Sequence, residues 1–271
     1  MTTLTPARPK KLLCKIITNR EIAEDIYEMV IEGDFPVDQF YPGVFVHVKC
    51  SDASVPLLRR PISICNVSDN GTQLTMLYRA EGAGTKLLAK KLSNQVLDIL
   101  GPLGRGFQIE EADFKDKKVL VVGGGIGVPP LYYLGRKLLA KSANLHFVNG
   151  FNSAANCFYH DEFKKLSENT YYCTVDGTSG FKGFVTDVIK SENLADYDYL
   201  YACGPNPMLK ALQDMFQEKP NSYISVEERM GCGIGACLAC VCDYQQPELE
   251  EKAYARVCTE GPVFSLNKIK L

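Results

Sequence analysis

The chain predicts a multidomain β and α/β fold. A small antiparallel barrel comes first, then a doubly wound parallel sheet with its helices, then a short cysteine-rich C-terminal unit. Three observations predict it. Residues 11–108 read as short β-rich runs separated by Gly and Pro turns. From Asp116 onward, apolar strands alternate with helical stretches, the pattern of a parallel sheet. Beyond residue 225, small residues and cysteines replace both patterns. The expected units are 1–110, 111–224 and 225–271, and a chain of 271 residues is long enough for them.

In the first unit, GVFVHVKC (43–50) alternates in its middle, and PISICNV and QLTMLYR follow as β-rich runs. Gly43, the Asp69-Asn70-Gly71 turn and Gly101-Pro102 punctuate them. One helical patch is expected at 84–92. Arg59-Arg60-Pro61-Ile62-Ser63 forms a basic start to a strand, able to hold a phosphate or simply to lie on the surface. Gly82-Ala83-Gly84-Thr85 precedes the helical patch and is a candidate anion cradle. His47, His146 and His160 are scattered and form no metal set; His47 reads as structural or surface.

The second unit opens with KVLVVGGGIGVPPLYYLGRKLLAKS, a buried strand, a glycine-rich turn and a helix. Gly123, Gly124, Gly125 and Gly127 let the backbone turn and approach a pyrophosphate at the helix start, although the spacing is not G-x-G-x-x-G. A tight turn with no ligand is the alternative. Pro129 or Pro130 suits a first helical turn. Strands are expected at LHFVNG, YYCTV, DYLYACG and SYISVEE, with helices near 155–166, near 184–191 and at NPMLKALQDMF. Cys203-Gly204-Pro205 ends a strand, where open α/β sheets bind ligands, or is a plain Gly-Pro turn.

The third unit holds EERMGCGIGACLACVC, in which Cys232, Cys237 and Cys240 are spaced C-x4-C-x2-C, the plant-type [2Fe-2S] pattern. Small residues between them let backbone N–H groups approach the cluster sulfurs. Cys258 is the favoured fourth ligand and Cys242 its rival, ranked lower because a ligand so close to Cys240 would pull the loop tight. Zinc prefers paired C-x2-C knuckles, and only one is complete here.

A net charge of -2 with 23% charged residues is an ordinary surface and gives no sign of nucleic-acid binding. Eleven cysteines without a secretory pattern point to a reducing cytoplasm. No run of eighteen apolar residues suggests a membrane span.

Together RRPIS, LYR, GAGT, GPLGRGF, VGGGIGVPPL, YACGPNPML, EERMGCGIGACLACVC and VCTEGPVF, in that order, resemble the electron-transfer subunits of bacterial class 1B dihydroorotate dehydrogenases. These lie within the ferredoxin-reductase-like family, and the resemblance spans nearly the whole chain. It implies an FAD-binding barrel, with Arg60, Pro61, Ile62, Ser63, Leu77, Tyr78, Arg79, Gly84 and Thr85 at the flavin. It implies a Rossmann-like domain receiving NAD at Gly123, Gly125, Gly127, Cys203, Gly204 and Pro205. Its third domain would hold a [2Fe-2S] cluster on Cys232, Cys237, Cys240 and Cys258. The implied partner is an FMN-containing catalytic subunit, in a heterotetramer of two plus two that oxidises dihydroorotate for pyrimidine synthesis. No acid–base catalytic residue is then expected in this chain. Small subunits of NADH–ferredoxin oxidoreductases or sulfide dehydrogenases share the plan and are the alternatives; a non-enzymatic metal-binding protein is a third. Pro129 and Asn152 stand where many relatives carry alanine and arginine.

Overall fold

The computed structural model describes residues 8–110 and 112–271. Residues 1–7, the start of the first expected unit, and residue 111, the start of the second, lie outside the described residues.

Six antiparallel strands build the barrel: β1 (Lys10–Ala23), β2 (Ile26–Glu32), β3 (Phe45–Val48), β4 (Arg60–Val67), β5 (Gln73–Arg79) and β6 (Val96–Leu103). They close in the order β1-β2-β5-β4-β3-β6. Their inward residues, among them Ile16, Ile31, Val46, Ile64, Met76 and Ile99, are fully buried, each gaining about 1.5–3 kcal/mol from leaving water. At the Asp69-Asn70-Gly71 turn, Gly71 takes a φ of +70° and the Asn70 carboxamide oxygen accepts the Thr72 N–H at 3.2 Å. Helix α1 (Ala83–Ala89) is shorter than the expected 84–92. The Asn19 amide on β1 stops it, donating to the carbonyls of Leu88, Ala89 and Lys91 at 3.1, 3.3 and 2.9 Å.

The second layer is a parallel sheet of β7 (Lys118–Gly124), β8 (Asn144–Phe151), β9 (Thr170–Thr174), β10 (Phe181–Lys182), β11 (Tyr199–Cys203) and β12 (Ser222–Ser225). The spatial order is β10-β9-β8-β7-β11-β12, reversing at β7, so the sheet is doubly wound. Helices α2 (Val128–Leu139), α3 (His160–Lys164), α4 (Val185–Ser191) and α5 (Asn206–Met215) connect it. Pro129 and Pro130 sit in the first turn of α2, where no N–H partner is lost.

The expected helix near 155–166 is broken. A 3-10 turn at Ala154–Asn156 is followed by Tyr159 in the left-handed region (φ +60°) before α3 begins. The cause is tertiary: the Tyr159 hydroxyl donates to Glu28 on the barrel at 2.5 Å, and Arg20 grips the same carboxylate at 2.8 Å. Strand β12 also stops short of the expected SYISVEE run: its register with β15 reaches Pro262, whose carbonyl accepts the Val226 N–H at 3.0 Å but which has no N–H to carry the ladder on.

The C-terminal unit carries a hairpin of β13 (Val241–Asp243) and β14 (Tyr254–Arg256), then β15 (Val263–Ser265). β15 adds antiparallel to β12 and becomes the seventh strand of the sheet. Phe264, Leu266 and Ile269 share one core with Leu120, Val122, Leu209 and Leu212 of the α/β layer. Helix α2 joins that layer to the barrel: the Tyr133 hydroxyl donates to the Phe40 carbonyl at 3.1 Å, and Arg136 pairs with Asp69 at 3.1 Å. Among the described residues no helix is long and apolar enough to cross a membrane.

Candidate functional site

Two cavities meet where the barrel, the parallel sheet and the C-terminal segment come together. The larger, about 590 Å³, lies over the carboxyl ends of β7, β8 and β11. Gly124, Gly125, Gly127, Gly204 and Pro205 line it. The Gly125 φ of +51° makes the turn into α2. Gly127 lies so close to the Cys203 carbonyl that a Cβ would collide with it. Gly123 and Cys203 lie below the cavity rather than in its lining. At Gly123 a Cβ would stand 2.7 Å from Val128 Cγ2 on α2, so its missing side chain serves strand–helix packing. Cys203 is buried, and burial raises its thiol well above the ordinary range. Asn152 lines the far end, with Asn156.

The smaller cavity, about 210 Å³, lies between β4, β5 and the segment after β12. Pro61, Ile62, Ser63, Leu77, Tyr78, Arg79 and Thr85, from three separate sequence motifs, line it. Arg60 and Gly84 sit against each other beside it: a Cβ at Gly84 would stand 2.9 Å from Arg60 Nε. The two arginines at the head of β4 differ. Arg59 pairs with Asp98 at 2.8 Å and donates to the carbonyls of His47 and Asp98. Arg60 donates only through Nη1, to the carbonyls of Leu58 and Arg59 at 2.7 and 3.3 Å, and has no carboxylate partner among the described residues. Its charge is free for an anion.

Arg79, Ile126 and Glu227 line both cavities and form their common wall. Glu227 is exposed at the cavity mouth, yet the protein crowded around it raises its carboxyl; Arg79 opposes that rise and Glu81 adds to it. Sequence reasoning passed over Glu227 as a site residue. Its position just past the carboxyl end of a sheet strand was the available signal.

The thiol loop follows. Gly233 and Gly235 have φ of +75° and +81°, and Leu238 +55°, so the backbone folds its N–H groups inward. Cys232 Sγ receives the N–H groups of Ile234, Ala236 and Cys237 at 3.5, 3.3 and 3.4 Å. The Cys232 N–H reaches Cys237 Sγ at 3.3 Å, and the Gly235 N–H reaches Cys258 Sγ at 3.2 Å. Burial alone would raise the Cys232 thiol, but these donors bring it down to about 7. At Cys232 this favours the thiolate, the form that ligates metal; at Cys258 burial and the neighbouring Cys240 push the thiol up to about 12, and the Gly235 N–H opposes that rise. The thiols fall into two pairs, Cys232 with Cys237 and Cys240 with Cys258. Among the described residues no three such ligands surround a single ion. Two pairs suit a dinuclear centre, in which each metal takes two protein thiols. Cys242 points elsewhere: its thiol lies 3.8 Å from the Ala255 carbonyl in the hairpin, and burial pushes it up to about 12.

Arg256 braces the loop, donating to the Gly235 carbonyl at 3.1 Å while its Nε pairs with Glu260. Cys240 and Cys258 are buried whereas Cys237 is exposed, so one edge of the loop faces solvent. His47 on β3 packs against this loop and is buried, unlike a surface residue. Burial, with Arg59 beside it, lowers its imidazole to about 4.

Comparison with known proteins agrees with this geometry. The family described as the iron–sulfur cluster binding domain of dihydroorotate dehydrogenase B matches residues 227–270, and the oxidoreductase NAD-binding domain matches residues 121–214. The dihydroorotate dehydrogenase B (NAD(+)) electron transfer subunit of Bacillus mycoides (strain KBAB4) is 51% identical over 256 residues, covering 94% of this chain and 97% of the relative. That of Bacillus cereus (strain G9842) is 50% identical over the same shares. Among solved structures, the NADH-dependent reduced ferredoxin-NADP oxidoreductase superposes with a TM-score of 0.80 at 26% identity, over 96% of this chain and 90% of that one. Phthalate dioxygenase reductase shares the fold, with a TM-score of 0.65 at 17% identity over 92% and 94% of the two chains. The chain therefore belongs to the family of electron transfer subunits of dihydroorotate dehydrogenase B (NAD(+)).

Proposed function

We propose that this chain passes electrons from the FMN of a dihydroorotate dehydrogenase catalytic subunit to NAD+, using a [2Fe-2S] cluster and FAD of its own, in pyrimidine biosynthesis. The observation that carries the reading is the wall of Arg79, Ile126 and Glu227 common to the two cavities, because hydride transfer needs two ring systems in contact. When bound, FAD exchanges hydride with nicotinamide and single electrons with an iron–sulfur centre, which carries one electron at a time.

The residues divide the work. Arg60 offers an unpaired guanidinium to the FAD pyrophosphate, and Gly84 leaves it room. Pro61, Ile62, Ser63, Leu77, Tyr78, Arg79 and Thr85 enclose the flavin side. Gly125 and Gly127 admit the NAD pyrophosphate to the start of α2, while Gly204 and Pro205 shape the opposite wall. Gly123 and Cys203 support that floor from beneath. Cys232, Cys237, Cys240 and Cys258 hold the cluster, and the inward N–H groups stabilise its negative charge. The exposed Cys237 edge is the side nearest solvent for single-electron exchange with a partner. The division into 1–110, 111–224 and 225–271 follows these three tasks. The partner is the catalytic subunit, in a two-plus-two assembly within a reducing cytoplasm.

The test is assay of the chain alone and with its native partner. The complex contains iron, sulfide and flavin and couples dihydroorotate oxidation to NAD+ reduction. The isolated chain reduces a dye with NADH but does not oxidise dihydroorotate. Dihydroorotate turnover by the isolated chain would overturn the division of labour.

A further inference from the structure

His47 is 1% exposed, yet neither Nδ1 nor Nε2 has a hydrogen-bond partner among the described residues. Leaving such a group unpaired costs about 1–3 kcal/mol, so a buried orphan imidazole on a core strand demands a reason. Two separate segments lie against His47: the thiol loop at Cys232-Gly233, and the head of β4, where Arg59 donates to the His47 carbonyl. Gly233 makes the space: a Cβ there would stand 2.7 Å from His47 Nδ1. On its other side, His47 pairs in register with Pro61, and Phe45 lies two residues before it on the same face of β3. Both Pro61 and Phe45 line the smaller cavity. The ring thus stands in the partition between the flavin cavity and the cysteine loop. The barrel side of that partition is rigid, since Arg59 is held by Asp98 at 2.8 Å and by its bond to the His47 carbonyl.

We propose that His47 is a positioning residue for the iron–sulfur centre: when the cluster is in place, the adjoining loop settles so that one ring N–H donates to the Cys232 carbonyl, tying the cysteine loop to the flavin-binding barrel. The inference rests on the reading of Cys232 as a cluster ligand. Either neutral tautomer has one N–H and one lone pair, so the ring can make this bond without changing charge. Donation to a carbonyl beside a ligand sulfur withdraws negative potential from the iron and favours the reduced, more negative state. It also fixes the loop relative to β3 and β4.

The test uses the full complex with His47→Leu, which removes the donor, and His47→Gln, which keeps an N–H of similar reach. Iron and sulfide contents are measured first, then the EPR signature and the potentiometric midpoint of the cluster. With Leu the midpoint becomes more negative: at the wild-type midpoint the reduced-to-oxidised ratio falls about threefold, roughly 30 mV for one electron. With Gln the midpoint and EPR signature stay at the wild-type values. An unshifted Leu variant, or a Gln variant shifted as far as Leu, overturns the proposal. If the Leu variant assembles no cluster, the Gln variant decides: wild-type values support the proposal, shifted values overturn it. Wild-type complex without iron and sulfide would instead defeat the cluster reading, a result seen before any variant is compared.

Discussion

At the residue scale, two adjacent arginines head β4, and their partners separate them. Arg59 is fixed by Asp98 at 2.8 Å. Arg60 lacks a carboxylate partner among the described residues and lies on Gly84. Arg60→Ala is expected to weaken FAD retention by roughly ten- to a hundredfold, the loss of a charge-assisted bond of about 1.5–3 kcal/mol; fluorescence titration of flavin checks it. The same change at Arg59 is expected to lower the melting temperature instead. The two candidate fourth thiols differ as clearly. Cys258→Ser is expected to abolish iron and sulfide incorporation, while Cys242→Ser, whose thiol faces the Ala255 carbonyl, leaves both intact; metal and sulfide analysis decides. Glu227 carries a pH signature. Its carboxyl is raised in the fold, so the folded state binds the proton more tightly than the unfolded one. Its contribution is fully present below the unfolded value and is lost as pH rises through the folded one. Because Glu227 is exposed and water screens it, Glu227→Gln is expected to raise the melting temperature only slightly near pH 7 and to leave it unchanged near pH 4. Thermal melts of both proteins across that range measure the difference.

At the scale of elements, the turn from β7 into α2 depends on close backbone approach. Gly127 rests on the Cys203 carbonyl at the end of β11, so a methyl group there must push two elements of the larger cavity apart. Gly127→Ala is expected to cost about 1–3 kcal/mol of stability, the usual range for overpacking, and to raise the KM for NADH. Denaturant unfolding and steady-state kinetics measure the two effects. The segment from Ala154 to Lys164 shows the opposite balance. Its composition favours one helix, but the bond from Tyr159 to Glu28 holds a left-handed residue in the middle and divides it. A charge-assisted hydrogen bond to another layer outweighs the small per-residue helix preference.

At the scale of the whole molecule, the C-terminal unit completes the sheet rather than hanging from it. β15 covers the edge of β12, and Phe264, Leu266 and Ile269 fill the core of the α/β layer. Truncation after Val226 is expected to leave an exposed sheet edge and an open core. The shortened chain should aggregate or unfold well below the melting temperature of the intact protein, as seen by scanning calorimetry and light scattering. The same architecture presses the cysteine loop against β3 through His47 and Gly233. The cysteine loop and the two cavities are thereby held in one body, which serves electron transfer because each step needs short, fixed separations.

The sequence alone determined the three-part plan, the glycine turn ahead of α2 and the cysteine spacing, because these express local demands: side-chain period, backbone freedom and donor type. The motifs that gather at the smaller cavity were also legible, since resemblance carried RRPIS, LYR and GAGT together although they are distant along the chain. Tertiary structure decided which arginine stays unpaired, which way Cys242 and Cys258 face, and where the 155–166 helix breaks. It also brought Glu227 into the common wall and buried His47 between barrel and loop. Each of these depends on a contact between segments far apart in the chain, and neither periodicity nor spacing encodes the partner across such a gap.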